Sequence, residues 1–409
     1  MREQKKIAFI CQPYHRGGVT RWMADAAITY AMNGYEVYFM TLEPVIPFFS
    51  GEGKETMLDL LSKANTDIHI IKTKAGHDFE FGTHDYCAFI YKQLFLKLPI
   101  GTPVILSDDS MVWQAAMSLH ASFPAIGVLH ADEEYYYKLG ARYAGSVDAL
   151  VCVSNRVSRK ITGKINSSGH NKIYTIPCGI DLPAINTTSA KQDVIRLVYV
   201  GRITNYQKRV GDLAKIATLL SKQGKQFNLN IIGDGGADKK ELEKNIRDAG
   251  LEKNITFKGW LSKEEVVQFL YNSDILLLTS DFEGTPIAMM EALACGCGIV
   301  GTRVSGIEDY ENAPGAQNSF MINDVGDIDA AVSNIIKLSA VPVATRRASA
   351  RIIAEENFSM QVCLNKYMNV INDIPARHYT SPVTGLSVSK IFYSRMVSSL
   401  RYFKMKLAK

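Results

Sequence analysis

Two carboxylates eight residues apart head the chemistry that this sequence can do. They lie in Asp281-Phe282-Glu283-Gly284-Thr285-Pro286-Ile287-Ala288-Met289-Met290-Glu291-Ala292. The apolar run Ile275–Leu278 just before it reads as a buried strand. Pro286 suits the first position of a helix, because its fixed φ is already helical. Glu283 then sits in the loop at the helix start, and Glu291 lies about one and a half turns in. The N–H groups of Thr285, Pro286's successor Ile287 and the residues after it would form a helix N-terminus, a natural anion site. A carboxylate only accepts hydrogen bonds, which matches sugar hydroxyls. The pattern implies a ligand carrying both phosphate and hydroxyls. The plainer alternative makes Glu283 a loop residue and Glu291 a solvated helix residue. However, Glu291 stands among Ala288, Met289, Met290, Leu293 and Ala294. A charge buried there needs a partner.

Two cations point the same way. The strand Leu197–Val200 runs into Gly201-Arg202, and Lys208 follows six residues on, read as the first turn of a helix. Ligands of open parallel sheets bind at the carboxyl ends of strands. Two cations converging there suit a diphosphate, although solvated surface cations would look alike. Ile231-Ile232-Gly233-Asp234-Gly235-Gly236 offers glycines after another strand, which permit close backbone approach but also fit a plain turn.

The elements that must hold these residues alternate between strand and helix. Ile7–Ile10, a helix from Val19 to Met32 ended by Gly34, Tyr35–Met40, Val104–Leu106, Ala125–Leu129 and Ala149–Val153 make a first series. Residues 177–193 have linker composition. The series restarts with strands Leu197–Val200, Leu229–Ile232, Ile255–Phe257, Ile275–Leu278 and Gly298–Val300, separated by helices near 207–222, 238–249, 263–271 and 287–295. Such alternation builds doubly wound parallel sheets. The expected division is 1–182, 183–355, a helix over 356–375 that crosses back to the first domain, and a tail over 376–409.

The 409 residues are enough for two to three domains, and the composition, 47% hydrophobic and 21% charged, is that of a globular chain. No apolar run approaches the ~20 residues of a membrane span, and five apolar residues after the basic start are too few for a signal peptide. Seven scattered cysteines without a secretory signal imply reduced thiols in a cytoplasmic protein. Cys295-Gly296-Cys297 lacks the further ligands of a zinc site, so packing is expected there. The net charge is +5; seven positive charges and no acid follow Asp373, so residues 1–373 carry −2. The body is not a nucleic-acid tracker. In 386–407, Val388, Phe392, Met396, Leu400, Phe403 and Leu407 share a helical face flanked by Lys390, Arg395, Arg401 and Lys404. This suits either an anionic membrane surface or docking on the body.

The setting Glu-Gly-x-Pro followed by Glu-Ala-x-Ala-x-Gly resembles the signature of retaining, nucleotide-sugar-dependent family-4 glycosyltransferases. Supporting pieces follow in family order: Gly17-Gly18 before the first helix, Gly201-Arg202 with Lys208, Gly233-Asp234-Gly235, Phe257-x-Gly259 and the glutamate segment. The resemblance covers roughly residues 7–375, and Phe282–Pro286 is similar to members that build bacterial surface polysaccharide or lipopolysaccharide. It implies the GT-B fold, two Rossmann-like domains facing across a cleft, and transfer of a hexose or N-acetylhexosamine from a nucleoside diphosphate, UDP by family frequency, to a glycan or lipid-linked hydroxyl.

Roles follow by resemblance. Arg202 and Lys208 would hold the diphosphate, and Gly17 and Gly18 would close over it. Glu291 would bind the ribose and Glu283 the transferred sugar. Amides at Gly284, Thr285 and Ile287 around Pro286 would reach phosphate or sugar, with Gly233 nearby. The base would lie near Gly259, Trp260 and Leu261, and His130 near the sugar ring. No metal or cofactor is expected, because cations and a helix dipole offset the diphosphate; Asp108-Asp109 is the pair a metal would otherwise use. The family's usual Pro-Asn-Gly is here Pro177-Cys178-Gly179, and Gly-x-Pro is Gly296-Cys297-Gly298, which implies altered turns. Alternatives are a nucleotide-sugar epimerase on the same fold and a non-catalytic scaffold.

Overall fold

The computed structural model describes residues 5–11, 18–44, 57–75, 79, 83–165, 172–184 and 194–382, with 392–393, 396–397 and 399–401 of the tail. Two parallel sheets lie in succession. The first contains β1 (Lys6–Cys11), β2 (Glu36–Pro44), β3 (Ile68–Ala75), β4 (Val104–Leu106), β5 (Ala125–Leu129), β6 (Ala149–Cys152) and β7 (Lys172–Thr175). Its spatial order is β3-β2-β1-β4-β5-β6-β7. The helices of this half are α1 (Gly18–Met32), α2 (Met57–Lys63), α3 (His84–Phe95), α4 (Ser110–Met117), α5 (Glu134–Tyr143) and α6 (Asn155–Thr162).

The second sheet contains β8 (Ile195–Val200), β9 (Phe227–Ile232), β10 (Ile255–Gly259), β11 (Ile275–Leu278), β12 (Gly298–Thr302) and β13 (Phe320–Asn323), in the order β10-β9-β8-β11-β12-β13. Its helices are α7 (Asn205–Lys208), α8 (Gly211–Lys222), α9 (Ala237–Asp248), α10 (Lys263–Tyr271), α11 (Ile287–Ala294), α12 (Ala316–Ser319), α13 (Ile328–Ala340) and α14 (Val343–Phe358). The last helix, α15 (Met360–Asp373), follows. Strands such as Ile7–Ile10 and Ile275–Leu278 are buried on both faces, as a sheet covered by helices requires.

Strand order reverses between β1 and β4 and again between β8 and β11. At such a switch point the connections leave in opposite directions and open a crevice beyond the strand ends. Gly201-Arg202 follow β8 and the glutamate segment follows β11, so both flank the second crevice.

Three details differ from expectation. The helix expected over 207–222 is two, α7 and α8, because Arg209 adopts left-handed backbone at φ 47° and ends the first. Lys208 therefore closes one helix instead of opening the next. Pro286 is the cap before α11, with an extended ψ of 122°, and Ile287 is the first helical residue. Strands β3, β7 and β13 were not anticipated; β3 and β7 have partly exposed, polar stretches at the sheet edges.

Asp274 ties the second domain together. Arg196 reaches it at 2.8–3.0 Å and the buried Arg346 at 2.5 Å. After α14 the chain returns to the first domain: the Ile180 amide donates to the Phe358 carbonyl, the Met360 amide donates to the Ile180 carbonyl, and the Tyr30 hydroxyl donates to the Leu364 carbonyl. Residues beyond α15 are pinned to that domain by Arg377, which pairs with Asp148 at 2.7 Å. All seven cysteines are buried thiols, and burial pushes Cys295 up to about 12. The described tail residues are helical, with Phe392, Tyr393, Met396 and Leu400 exposed. The rest of the 386–407 helix, including Val388, Lys390, Arg395, Phe403, Lys404 and Leu407, lies outside the described residues. No single helix among the described residues is long and apolar enough to cross a membrane.

Candidate active site

Glu283 lies just past β11 and is only 5% exposed. Its Oε1 accepts from Lys208 Nζ at 2.5 Å and from Ser280 Oγ at 2.6 Å. The left-handed turn at Arg209 lets Lys208 end α7 facing β11, and the Thr279 hydroxyl donates to the Lys208 carbonyl at 2.6 Å. Arg202 is exposed, and its guanidinium donates to Gln207 Oε1 at 2.8 Å. Gln207 in turn donates to the Phe282 carbonyl and accepts from the Asp281 amide. Arg202, Lys208 and Glu283 thus meet in one hydrogen-bonded knot, drawn from two loops some seventy-five residues apart in sequence.

The glycines beside this knot serve backbone packing. A Cβ on Gly233 would lie 1.8 Å from the Gly201 carbonyl oxygen, and Gly233 donates its amide to Gly259 at 2.8 Å. Gly233 thereby knits the ends of β8, β9 and β10. Next to it, a cavity of about 370 Å³ is lined by Arg202, Asp234, Gly236 and Trp260. Trp260 is exposed, while Leu261 packs against the core.

Glu291, on α11, is half-buried and lies near Lys263, Asp25 and Arg21. Burial pushes its carboxyl up to about 7; Lys263 and Arg21 pull it down, and Asp25 adds to the rise. The expected ion-pair partner does not appear among the described residues. Lys263 instead pairs with Asp25 at 3.2 Å, and Arg21 holds Asp25 at 2.9 Å. The carboxyl is desolvated by its burial, with no cation in contact among the described residues, and this raises its affinity for a proton. Gly18, the first residue of α1, stands against Ile287: a Cβ there would lie 2.8 Å from Ile287 Cγ1. The N-termini of α1 and α11, each carrying positive partial charge, therefore face one another. Gly17 lies outside the described residues.

The first domain closes directly on the glutamate segment. The Asp132 amide donates to the Glu283 carbonyl at 3.0 Å, and the Thr285 hydroxyl donates to the Val153 carbonyl at 2.6 Å. A Cβ on Gly284 would lie 1.9 Å from the His130 carbonyl oxygen. His130 is buried with its ring edge-on to Trp22, and burial pushes it down to about 4, so the imidazole is neutral at pH 7. Its Nε2 is buried with no hydrogen-bond partner among the described residues, and Nδ1 lies 4.0 Å from Cys178 Sγ.

Asp109 caps α4 and accepts from Tyr91, while Asp108 accepts from Tyr136. The pair is thus engaged in structure. No cluster of His, Cys, Asp and Glu able to hold a metal occurs among the described residues. Sequence reading missed Ser280, Gln207, Asp132 and Val153. The last two act through backbone groups, which no residue pattern announces.

Two doubly wound parallel sheets with loops at their switch points make the GT-B fold. Residues 184–354 match the model for the family described as "Glycosyl transferases group 1". The chain is similar to the amylovoran biosynthesis glycosyltransferase AmsK of Erwinia amylovora, 29% identical over 49% of this chain and 50% of that protein. It is also similar to the lipopolysaccharide 1,6-galactosyltransferase of Salmonella typhimurium, 33% identical over 46% of this chain and 54% of that protein. The chain thus spans about half the length of these curated relatives. Among solved structures, Staphylococcus aureus TarM, crystallised with UDP, superposes with a TM-score of 0.71 at 14% identity, covering 90% of this chain and all of that one.

Proposed function

We propose that this chain is a retaining glycosyltransferase that moves a hexose or N-acetylhexosamine from a UDP-sugar to a hydroxyl of a glycan or lipid-linked acceptor in surface polysaccharide synthesis. The observation that carries the reading is the buried Lys208–Glu283–Ser280 knot beside Arg202 and the N-terminus of α11. This grouping sets acceptor oxygens for a sugar next to donors for a diphosphate.

In this reading Arg202, Lys208 and the amides at the start of α11 take the diphosphate, and Glu291 takes the ribose hydroxyls. The base enters the cavity at Trp260. The costly step is departure of the diphosphate, which leaves a positively charged, oxocarbenium-like sugar. Fixed cations and helix ends stabilise the leaving charge without reorganising. No metal is then required. Glu283 steadies the sugar's hydroxyls and developing charge, and neutral His130 lines the sugar side. The acceptor attacks from the face that the diphosphate leaves, and a phosphate oxygen receives its proton. Closure of the first domain over Glu283–Thr285 excludes water and limits hydrolysis.

A thermal-shift screen against UDP, GDP and ADP, with and without EDTA, tests the donor site. A ligand that binds only the folded state must raise the melting temperature. The expected result is a rise with UDP that EDTA leaves unchanged; no shift with any nucleotide would overturn the reading. Peripheral contact with an anionic membrane through 386–407 belongs to the same proposal. Removal of 383–409 should then abolish binding to anionic vesicles, and unchanged binding would refute it.

A further inference from the structure

The two domains meet at a second place, between the start of α6 and the turn after β12. Ser154 caps α6, and its hydroxyl lies 2.6 Å from the Ser305 hydroxyl of the second domain, both buried. The Asn155 amide, in the first turn of α6, donates to Asp309 Oδ2 at 2.8 Å. Arg156 donates through Nε to Glu308 Oε1 at 2.8 Å and through a terminal nitrogen to Oε2. Two carboxylates of one domain therefore sit at the N-terminus of a helix of the other, where the helix dipole favours negative charge. The forked Arg–carboxylate geometry adds direction to that attraction. Both side chains of the pair are largely shielded, 28% and 18% exposed, so solvent screens it less than a surface pair.

The turn that carries these acids also supports the catalytic loop. Gly306 has φ +72°, and a Cβ there would lie 1.5 Å from the Gly284 carbonyl oxygen. The turn and the residue after Glu283 are in backbone contact. We infer that Arg156 with Glu308 and Asp309 forms an interdomain clasp whose closure positions Glu283. The clasp grips α6 on one side and presses on Gly284 through Gly306 on the other. Arg156 and Glu308 are thus positioning residues. This rests on the reading of Glu283 as a group that faces the sugar.

The test uses the full-length chain, Arg156→Glu, Glu308→Arg and the double swap. Arg156→Gln serves as a milder variant should reversal impair folding. Small-angle scattering reads closure and does not depend on the assigned activity. UDP affinity and turnover of a UDP-sugar read the site. Each reversal should enlarge the radius of gyration and lower kcat roughly tenfold, a change equivalent to about 1.4 kcal/mol. UDP affinity should change far less, because Arg202, Lys208, Glu291 and Trp260 all belong to the second domain. The double swap should restore both compactness and kcat. Single variants that stay as compact as the parent, or a swap that restores neither quantity, would refute the clasp. Variants that open while kcat is unchanged would refute the positioning of Glu283. If no UDP-sugar turns over in the parent, the functional reading fails, and the scattering series still decides the clasp.

Discussion

Replacing Glu291 by glutamine should separate what this carboxyl does for the ligand from what it does to the fold. Burial pushes its folded value from 4.5 up to about 7. The folded chain therefore binds this proton more tightly than the unfolded chain. Below pH 4.5 the group is protonated in both states and costs nothing. Between 4.5 and 7 the cost grows, and above 7 it is complete. At 1.36 kcal/mol per unit the full cost is about 3 kcal/mol. Glutamine has nearly the same shape and no charge to desolvate. Glu291→Gln should thus melt several degrees higher than the parent at pH 8 and at the same temperature at pH 4.5. The same variant should bind UDP about 10- to 100-fold more weakly, because an amide offers the ribose hydroxyls one acceptor oxygen where the carboxyl offers two. Scanning calorimetry across pH 4.5–8, with and without UDP, measures both effects. A melting difference that does not grow with pH would show that the carboxyl is not held protonated by burial. Undiminished UDP binding would remove Glu291 from the donor site.

Lys208→Met leaves Glu283 buried with no cation, and should cost about 3–5 kcal/mol in stability as well as turnover. Adding Glu283→Gln should restore stability and leave activity absent, as thermal melts and a donor-turnover assay would show. Gly284→Ala places a methyl group against the His130 carbonyl oxygen; UDP affinity should persist while turnover collapses, because closure is blocked. Burial would raise the Asp274 carboxyl, but hydrogen bonds from Arg196 and the charge of Arg346 hold it below the usual range. Its stabilisation is therefore present above pH 4 and is lost as pH falls through the lowered value. Asp274→Ala should cost about 3–5 kcal/mol at pH 7, since Arg346 stays buried, and the variant should lose the share of the parent's acid-induced destabilisation that Asp274 carries.

The sequence by itself determined the sheets and the neighbourhood of the site. Strands such as Ile7–Ile10 and Ile275–Leu278 are continuous apolar runs because helices cover both faces, and local composition records that directly. Arg202 and Glu283 stood out as candidates because each follows a strand end, Lys208 because it comes six residues after Arg202, and Glu291 because its helix neighbours are apolar. Tertiary structure alone decided what these residues do to one another. Lys208 reaches Glu283 because Arg209 takes a left-handed conformation, a strained state held by ion pairs to Asp212 and Asp281. Among the described residues Glu291 has no ion-pair partner, because Asp25 of the other domain engages Arg21 and Lys263. Asp132, Val153 and the Arg156–Glu308 pair enter the site only when two domains close. Such contacts depend on how rigid bodies meet, and a local pattern of residue types carries no record of that.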